Sequence, residues 1–146
     1  MDTALDLAAA AAAAGEAPVG AVIVESGEIL AAERNRMREL NDPTAHAELQ
    51  ALRAAAHRLA STRLDGCVVY ASGQPCPMCL AAIHLCGVSR VLFAASNAEG
   101  APFGLSTADV YAQLAQPLEA QRISIQHLPQ AAMQDVYARW RALRQA

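Results

Sequence analysis

Apolar and polar positions along this chain switch between a helical period and a strand period, and the switches mark an ordered series of elements. Residues 2–14 hold an unbroken run from Ala8 to Ala14, the strongest helix former, and Gly15 supplies a stop signal. The stretch Pro18-Val19-Gly20-Ala21-Val22-Ile23-Val24 is β-branched and without a polar side chain, which predicts a strand buried on both faces. Ser26-Gly27 reads as a turn and 28–35 as the second strand of a hairpin, followed by a polar loop over 35–41. Asp42-Pro43-Thr44 has the form of a helix start, and 45–59 continues with Leu49, Leu52, Ala56 and Leu59 at helical spacing. A short strand is expected at 67–71, a loop at 72–75, a helix at 77–86 closed by Gly87, and a strand at 91–94. Beyond these, 97–104 reads as loop, 107–114 as helix, 123–125 as a last strand, and 135–143 as a helix with Val136, Tyr137, Trp140 and Leu143 on one stripe.

Helices alternating with strands predict an α/β fold, with strands joined through a helix running parallel. With 146 residues and no linker or repeat, a single domain over 1–146 is expected. In such folds ligand sites gather where strands end and helices begin.

Composition narrows the function. Hydrophobic residues make up 54% of the chain, enough for a packed core. The net charge is −3 and all eleven positive residues are arginine, so lysine Schiff-base chemistry is excluded and no basic field draws in nucleic acid. No apolar run is long enough to span a membrane. Asp2 and Asp6 stand where a signal peptide would carry positive charge, and the four cysteines suit thiol or metal chemistry in a cytoplasmic protein better than a disulfide framework.

The candidate chemistry sits at Cys76 and Cys79, three apart on one helical face, with His46 on a separate segment as a third donor. Two cysteines and one histidine leave a tetrahedral zinc with one open position, as catalytic sites do. Glu48 is the candidate acid/base. In mid-helix, however, His46 and Glu48 would point to different faces, so the pair works only near a helix end. A structural zinc site is the competing reading, with Cys86, seven residues after Cys79, as fourth ligand. Otherwise Cys67 and Cys86 read as ordinary packed cysteines. His57, His84 and His127 lack companions and read as surface or packing residues. Tyr137 and Trp140 read as core or interface. Arg139, Arg141 and Arg144 read as complementing a helix C-terminus, with a basic patch as the alternative.

Three motifs, Pro18-Val19-Gly20-Ala21-Val22, Asn41-Asp42-Pro43-Thr44-Ala45-His46-Ala47-Glu48 and Pro75-Cys76-Pro77-Met78-Cys79, resemble those of the cytidine/deoxycytidylate deaminase superfamily. The resemblance implies a three-layer α/β/α fold with a five-stranded mixed sheet, one Zn2+ per chain on His46, Cys76 and Cys79, and Glu48 as proton shuttle. It implies that Asn35, eleven residues before His46, hydrogen-bonds the substrate base, with the backbone at Ala45 and Pro75 also in contact with it.

Two branches of the superfamily compete. Pro18-Val19-Gly20 is similar to the tRNA-specific adenosine deaminases. The tail, with Tyr111, Pro117-Leu118-Glu119 and Trp140-Arg141, is similar to the bacterial guanine deaminases. Departures from the latter are Gln74 in place of a glutamate, and Thr107 where an acidic residue faces the base, with Asp109 displaced by two. The implied reaction is hydrolytic deamination of a small amino-substituted heterocycle, with guanine first. Cytosine, a nucleoside, a pterin, a triazine or adenosine in tRNA are alternatives. The implied partners are a small nucleobase-like substrate and a second copy in a homodimer, without nucleic acid or membrane.

Overall fold

The computed structural model describes residues 1–145 and centres on a sheet in the order β2-β1-β3-β4. Strands β1 (Gly20–Glu25) and β2 (Glu28–Arg34) form an antiparallel hairpin, and β1 also pairs antiparallel with β3 (Val68–Gly73). The hairpin closes on Ser26 and Gly27, both at positive φ (50° and 88°), the two-residue turn whose twist matches the flanking strands. Strand β3 pairs parallel with β4 (Arg90–Ala95) across the helix between them.

Helix α1 (Asp2–Ala13) buries Ala4, Ala8 and Ala11. These small side chains allow a close approach to β1. A Cβ at Gly20 would overlap the Ala4 carbonyl oxygen, the Leu7 Cβ and the Ala8 nitrogen. On β1, Ala21 and Ile23 join a core cluster with Ala47, Ala51, Leu52 and Ala55 of α3 (Ala47–Leu59) and Ile83 of α4 (Pro77–Leu85). Strand side chains alternate between faces, so Gly20 lies under α1 while Ala21 and Ile23 face α3. That double cover explains the unbroken apolar run in the sequence.

The remaining helices up to Leu114 are short. The 35–41 segment holds α2 (Met37–Leu40), ended by Asn41 in the left-handed conformation. The 97–104 segment winds into α5 (Asn97–Gly100) and a 3-10 turn (Ala101–Phe103), started by a Ser96/Glu99 capping box. Helix α6 spans Ala108–Leu114.

The chain divides into two compact units, Met1–Ala112 and Gln113–Ala146. The second contains a 3-10 turn (Leu118–Ala120) and α7 (Ala132–Leu143), with the Arg144 guanidinium 4.9 Å from the Trp140 ring.

The expected strand count is corrected. Among the described residues the sheet has four strands, not five, because the Ile123-Ser124-Ile125 segment forms no strand. Its alternation is strand-like, but a strand exists only through a paired ladder and a covered face. Here Ile123 is 72% and Ile125 45% exposed, so neither condition is met.

Candidate active site

Helix α3 begins later than the Asp42-Pro43-Thr44 signal suggests. Asp42 caps a tight turn instead, its Oδ1 accepting from the Thr44 N–H and hydroxyl, each at 2.7 Å. The N-cap is His46, extended at φ −68° and ψ 150°. Glu48 is then the second helical residue. A cap residue outside the helical spiral is free of its angular spacing, so the two side chains reach one pocket. Helix α4 starts the same way, with Cys76 as an extended N-cap (φ −68°, ψ 165°), Pro77 in the first turn and Cys79 on the third helical position. Neither side chain makes a capping hydrogen bond, which leaves both for other work.

The donor atoms of His46, Cys76 and Cys79 lie within 4.8 Å of one another, with Cys76 Sγ 3.6 Å from His46 Nδ1. Ligands at about 2.0–2.3 Å around a tetrahedral ion stand about 3.5 Å apart, so the spacing fits zinc. The positive ends of two helices meet here and favour anionic sulfur. Cys76 is lowered to about 4, first by the hydrogen bond from the Cys79 thiol and further by His46. Cys79 is raised, through the same hydrogen bond to Cys76 and then burial. His46 is raised by its hydrogen bond to Cys76.

Glu48 is 2% exposed, and its Oε2 meets no hydrogen-bond partner among the described residues. Burial raises its carboxyl pKa, against lesser opposing pulls from its own backbone and from His46 and the Cys79 thiol. An unpaired buried carboxylate oxygen costs about 1–3 kcal/mol in a finished fold. Here it faces a cavity of about 260 Å³ lined by His46, Glu48 and Cys76, by Ala17, Pro18 and Val19, by Gln74 and Asn97, and by Leu105, Ser106 and Thr107. A donor set at zinc spacing beside a carboxylate with one unpartnered oxygen fits a catalytic ion. The alternative fourth ligand is not there: Cys86 is the C-cap of α4, at the far end from Cys76 and outside the donor group.

The other expected contacts are placed unevenly. Thr107 reaches the cavity, but its N–H and hydroxyl both donate to Asn97 Oδ1 (3.0 and 3.3 Å). Asn97 in turn donates its backbone N–H to Gln74 Oε1 at 3.0 Å. Ala45 and Pro75 are buried outside the lining. The Ala45 carbonyl accepts from the Arg36 N–H, and the Pro75 carbonyl accepts from the Tyr111 hydroxyl at 2.6 Å. Asn35 lies behind Ala17, in an adjoining cavity with Glu16 and Arg38. Asn97 and Glu16 have no sequence motif to announce them, and Tyr111 is marked only as part of the tail; each acts across the fold.

Comparisons with known proteins agree with this geometry. The cytidine and deoxycytidylate deaminase zinc-binding region matches residues 1–95. The guanine deaminase of Bacillus subtilis (strain 168) is 37% identical over 124 residues, 85% of this chain and 80% of that protein. A crystal structure of guanine deaminase from Bacillus subtilis superposes with a TM-score of 0.90 at 36% identity, covering 97% of this chain and 90% of that one. The tRNA-specific adenosine deaminase of Aquifex aeolicus (strain VF5) is 47% identical over 81 residues, 56% of this chain and 54% of its own length. The two helix starts that bring histidine, cysteines and glutamate together thus lie inside the matched zinc-binding region, and the chain belongs to the cytidine and deoxycytidylate deaminase family of zinc-dependent aminohydrolases.

Proposed function

We propose that this chain deaminates a free purine base, guanine, to xanthine with release of ammonia, working as one domain over residues 1–146. The observation that carries the reading is the extent of the likeness. By sequence the likeness to the Bacillus guanine deaminase covers 85% of the chain, against 56% for the Aquifex tRNA deaminase. In superposition it reaches a TM-score of 0.90 over 97% of the chain, against 0.67 over 88% for a tRNA:A34 deaminase. The cavity lining supports a small uncharged ligand, since none of its residues is an arginine. An anticodon loop would need several cations for its phosphates.

Zinc held by His46, Cys76 and Cys79 supplies the activation of water that this chemistry requires. Glu48 carries the protons. Its Oε2 is open to accept one from water, and burial strengthens its hold on that proton until delivery to a ring nitrogen and then to the departing amine. Water and guanine give xanthine and ammonia, so the carboxylate ends unchanged. Asn35 reads the ring edge; its segment is tied to the cavity by the Asn35 N–H bond to Val19 and the Arg36 N–H bond to Ala45, the residue before His46. Thr107 borders the base, and the backbone at Ala45 and Pro75, one residue before His46 and Cys76, backs that wall. Thr107, already donating to Asn97, offers the ring less than a carboxylate would.

A second reading, editing of adenosine in tRNA, is favoured by the Pro18-Val19-Gly20 motif, whose Pro18 and Val19 line the cavity, and by the 47% identity to the Aquifex enzyme. The test is a panel of guanine, guanosine, adenine, adenosine, cytosine, cytidine and a tRNA anticodon stem-loop with zinc-loaded protein, reading ammonia and inosine. Ammonia from guanine supports the proposal. Inosine in the stem-loop with every free base and nucleoside inert overturns it.

A homodimer in the cytoplasm completes the reading. The four cysteines are all free thiols, which suits a reducing compartment. On α7, Val136, Tyr137, Trp140 and Leu143 are each more than half exposed, an apolar stripe of the kind subunit pairing covers. Light scattering that gives a monomer at micromolar concentration would contradict the dimer.

A further inference from the structure

The base-reading Asn35 is gripped from a distance. Its Nδ2 donates to Glu16 Oε2 at 3.1 Å, across nineteen residues of sequence. Both side chains are buried, Glu16 at 7% and Asn35 at 3% exposure. The same carboxylate accepts from the backbone N–H of Arg38 at 3.2 Å and of Glu39 at 2.7 Å. Those amides open α2, whose own N-cap Arg36 makes no side-chain cap bond. One buried carboxylate therefore holds three donors of the 35–39 segment, which is pinned at the same time to Val19 and Ala45.

An asparagine amide is nearly symmetric in shape and opposite in polarity at its two ends. Rotated by half a turn it fills the same space but presents a donor where an acceptor was. A carboxylate only accepts, so facing Glu16 it selects the Nδ2 end and rejects the Oδ1 end. The second Nδ2 hydrogen and the Oδ1 atom are then held in fixed places.

We propose that Glu16 is a positioning residue that sets the amide polarity of Asn35, so that a fixed donor and acceptor pair meets a ring edge carrying an acceptor beside a donor. The inference rests on the reading of Asn35 as the base contact. Glu16 touches neither substrate nor zinc and acts through Asn35. A heterocycle with the complementary order on that edge is accepted, and one with the order reversed leaves two buried groups mispaired.

Glu16→Gln tests this, because a glutamine amide offers either an acceptor or a donor at nearly the same size. Kinetics use guanine, or whichever base of the panel is turned over fastest. Glu16→Gln is expected to raise KM about tenfold, the worth of one charge-assisted hydrogen bond, with kcat and zinc content little changed. The Asn35 Nδ2 protons, identified by NMR through their loss in Asn35→Ala, should exchange with solvent about tenfold faster in Glu16→Gln by the same reasoning. In the double variant the Glu16 effect on kcat/KM should vanish, since nothing is left to position. Additive losses, or unchanged amide exchange, overturn the proposal while leaving Asn35 as the base contact. An Asn35→Ala variant with undiminished kcat/KM, or a panel in which no base reacts, overturns the reading of Asn35 and the proposal together. Should Glu16→Gln fail to fold, Glu16→Asp, which keeps the acceptor and shortens its reach, goes through the same cycle, and the same results support or overturn the proposal.

Discussion

His46 and Cys76 hold the same position in two different helices: each is an extended N-cap, and their donor atoms meet 3.6 Å apart. A metal site made from two helix starts joins the local rigidity of each helix to a long-range contact between them. It also places Glu48, in the first turn of α3, against the same cavity.

Zinc binding is expected at one ion per chain, with two sulfur ligands and one nitrogen from the protein. X-ray absorption on the metal measures this directly. Cys76→Ser and Cys79→Ser should lose the ion, whereas Cys86→Ser, at the far end of α4, should keep it. A shell of four protein ligands that includes Cys86 would replace the catalytic site by a structural one.

Glu48→Gln should keep zinc and lose turnover by about 10²–10⁴-fold, because an amide of the same size cannot shuttle a proton. Metal analysis and single-turnover kinetics on the same preparation give both numbers. Near-normal turnover with full metal occupancy would assign the proton transfers to another group.

Gly20→Ala should destabilise the fold by about 1–3 kcal/mol or more, as overpacking against backbone does. The new Cβ would meet the Ala4 carbonyl and the Ala8 nitrogen, which cannot move without shifting α1. Thermal unfolding checks this; an unchanged midpoint would mean that α1 rides free of the sheet.

Asn97→Ala should raise KM with little change in kcat. Asn97 Oδ1 accepts two bonds from Thr107 that the variant loses, while its backbone N–H bond to Gln74 is kept, and all three residues line the cavity. Losing that brace loosens one wall while leaving the zinc donors untouched. Equal loss in kcat would place Asn97 nearer the reacting atoms than the structure does.

Glu39 bridges Arg34 and Arg36 at 2.7 and 2.6 Å, on either side of Asn35. The hydrogen bond from Arg36, then that from Arg34, holds its carboxyl below the ordinary 4.5. The folded pKa is thus below the unfolded one, so the stabilisation is present above about pH 4.5 and is lost as pH falls through the folded value. The difference in melting temperature between wild type and Glu39→Gln should be largest near neutral pH in low salt, shrink below pH 4.5, and be small because the pair is exposed. A gap that persists in acid would mean that packing, not charge, sets it.

Two of the candidate zinc donors were legible in the sequence because their relation is local. Cys76 and Cys79 share a helical turn, and Pro77 and the strand-loop-helix pattern mark where that turn begins. The buried β1 run and the Ser26-Gly27 turn were legible for the same reason: side-chain period and positive φ are properties of neighbouring residues. The sequence alone could not tell whether His46 and Glu48 shared a face, since that depended on where α3 starts, and Asp42 turned its carboxylate to Thr44 instead of capping it. Nor could it tell that Ile123 and Ile125 would stay outside the sheet, because a strand needs a partner that local alternation does not supply. The bonds from Glu16 to Asn35, Asn97 to Thr107 and Tyr111 to Pro75 span 19, 10 and 36 residues. Such bonds form only when packing has already brought distant segments together, so the tertiary structure alone decided them.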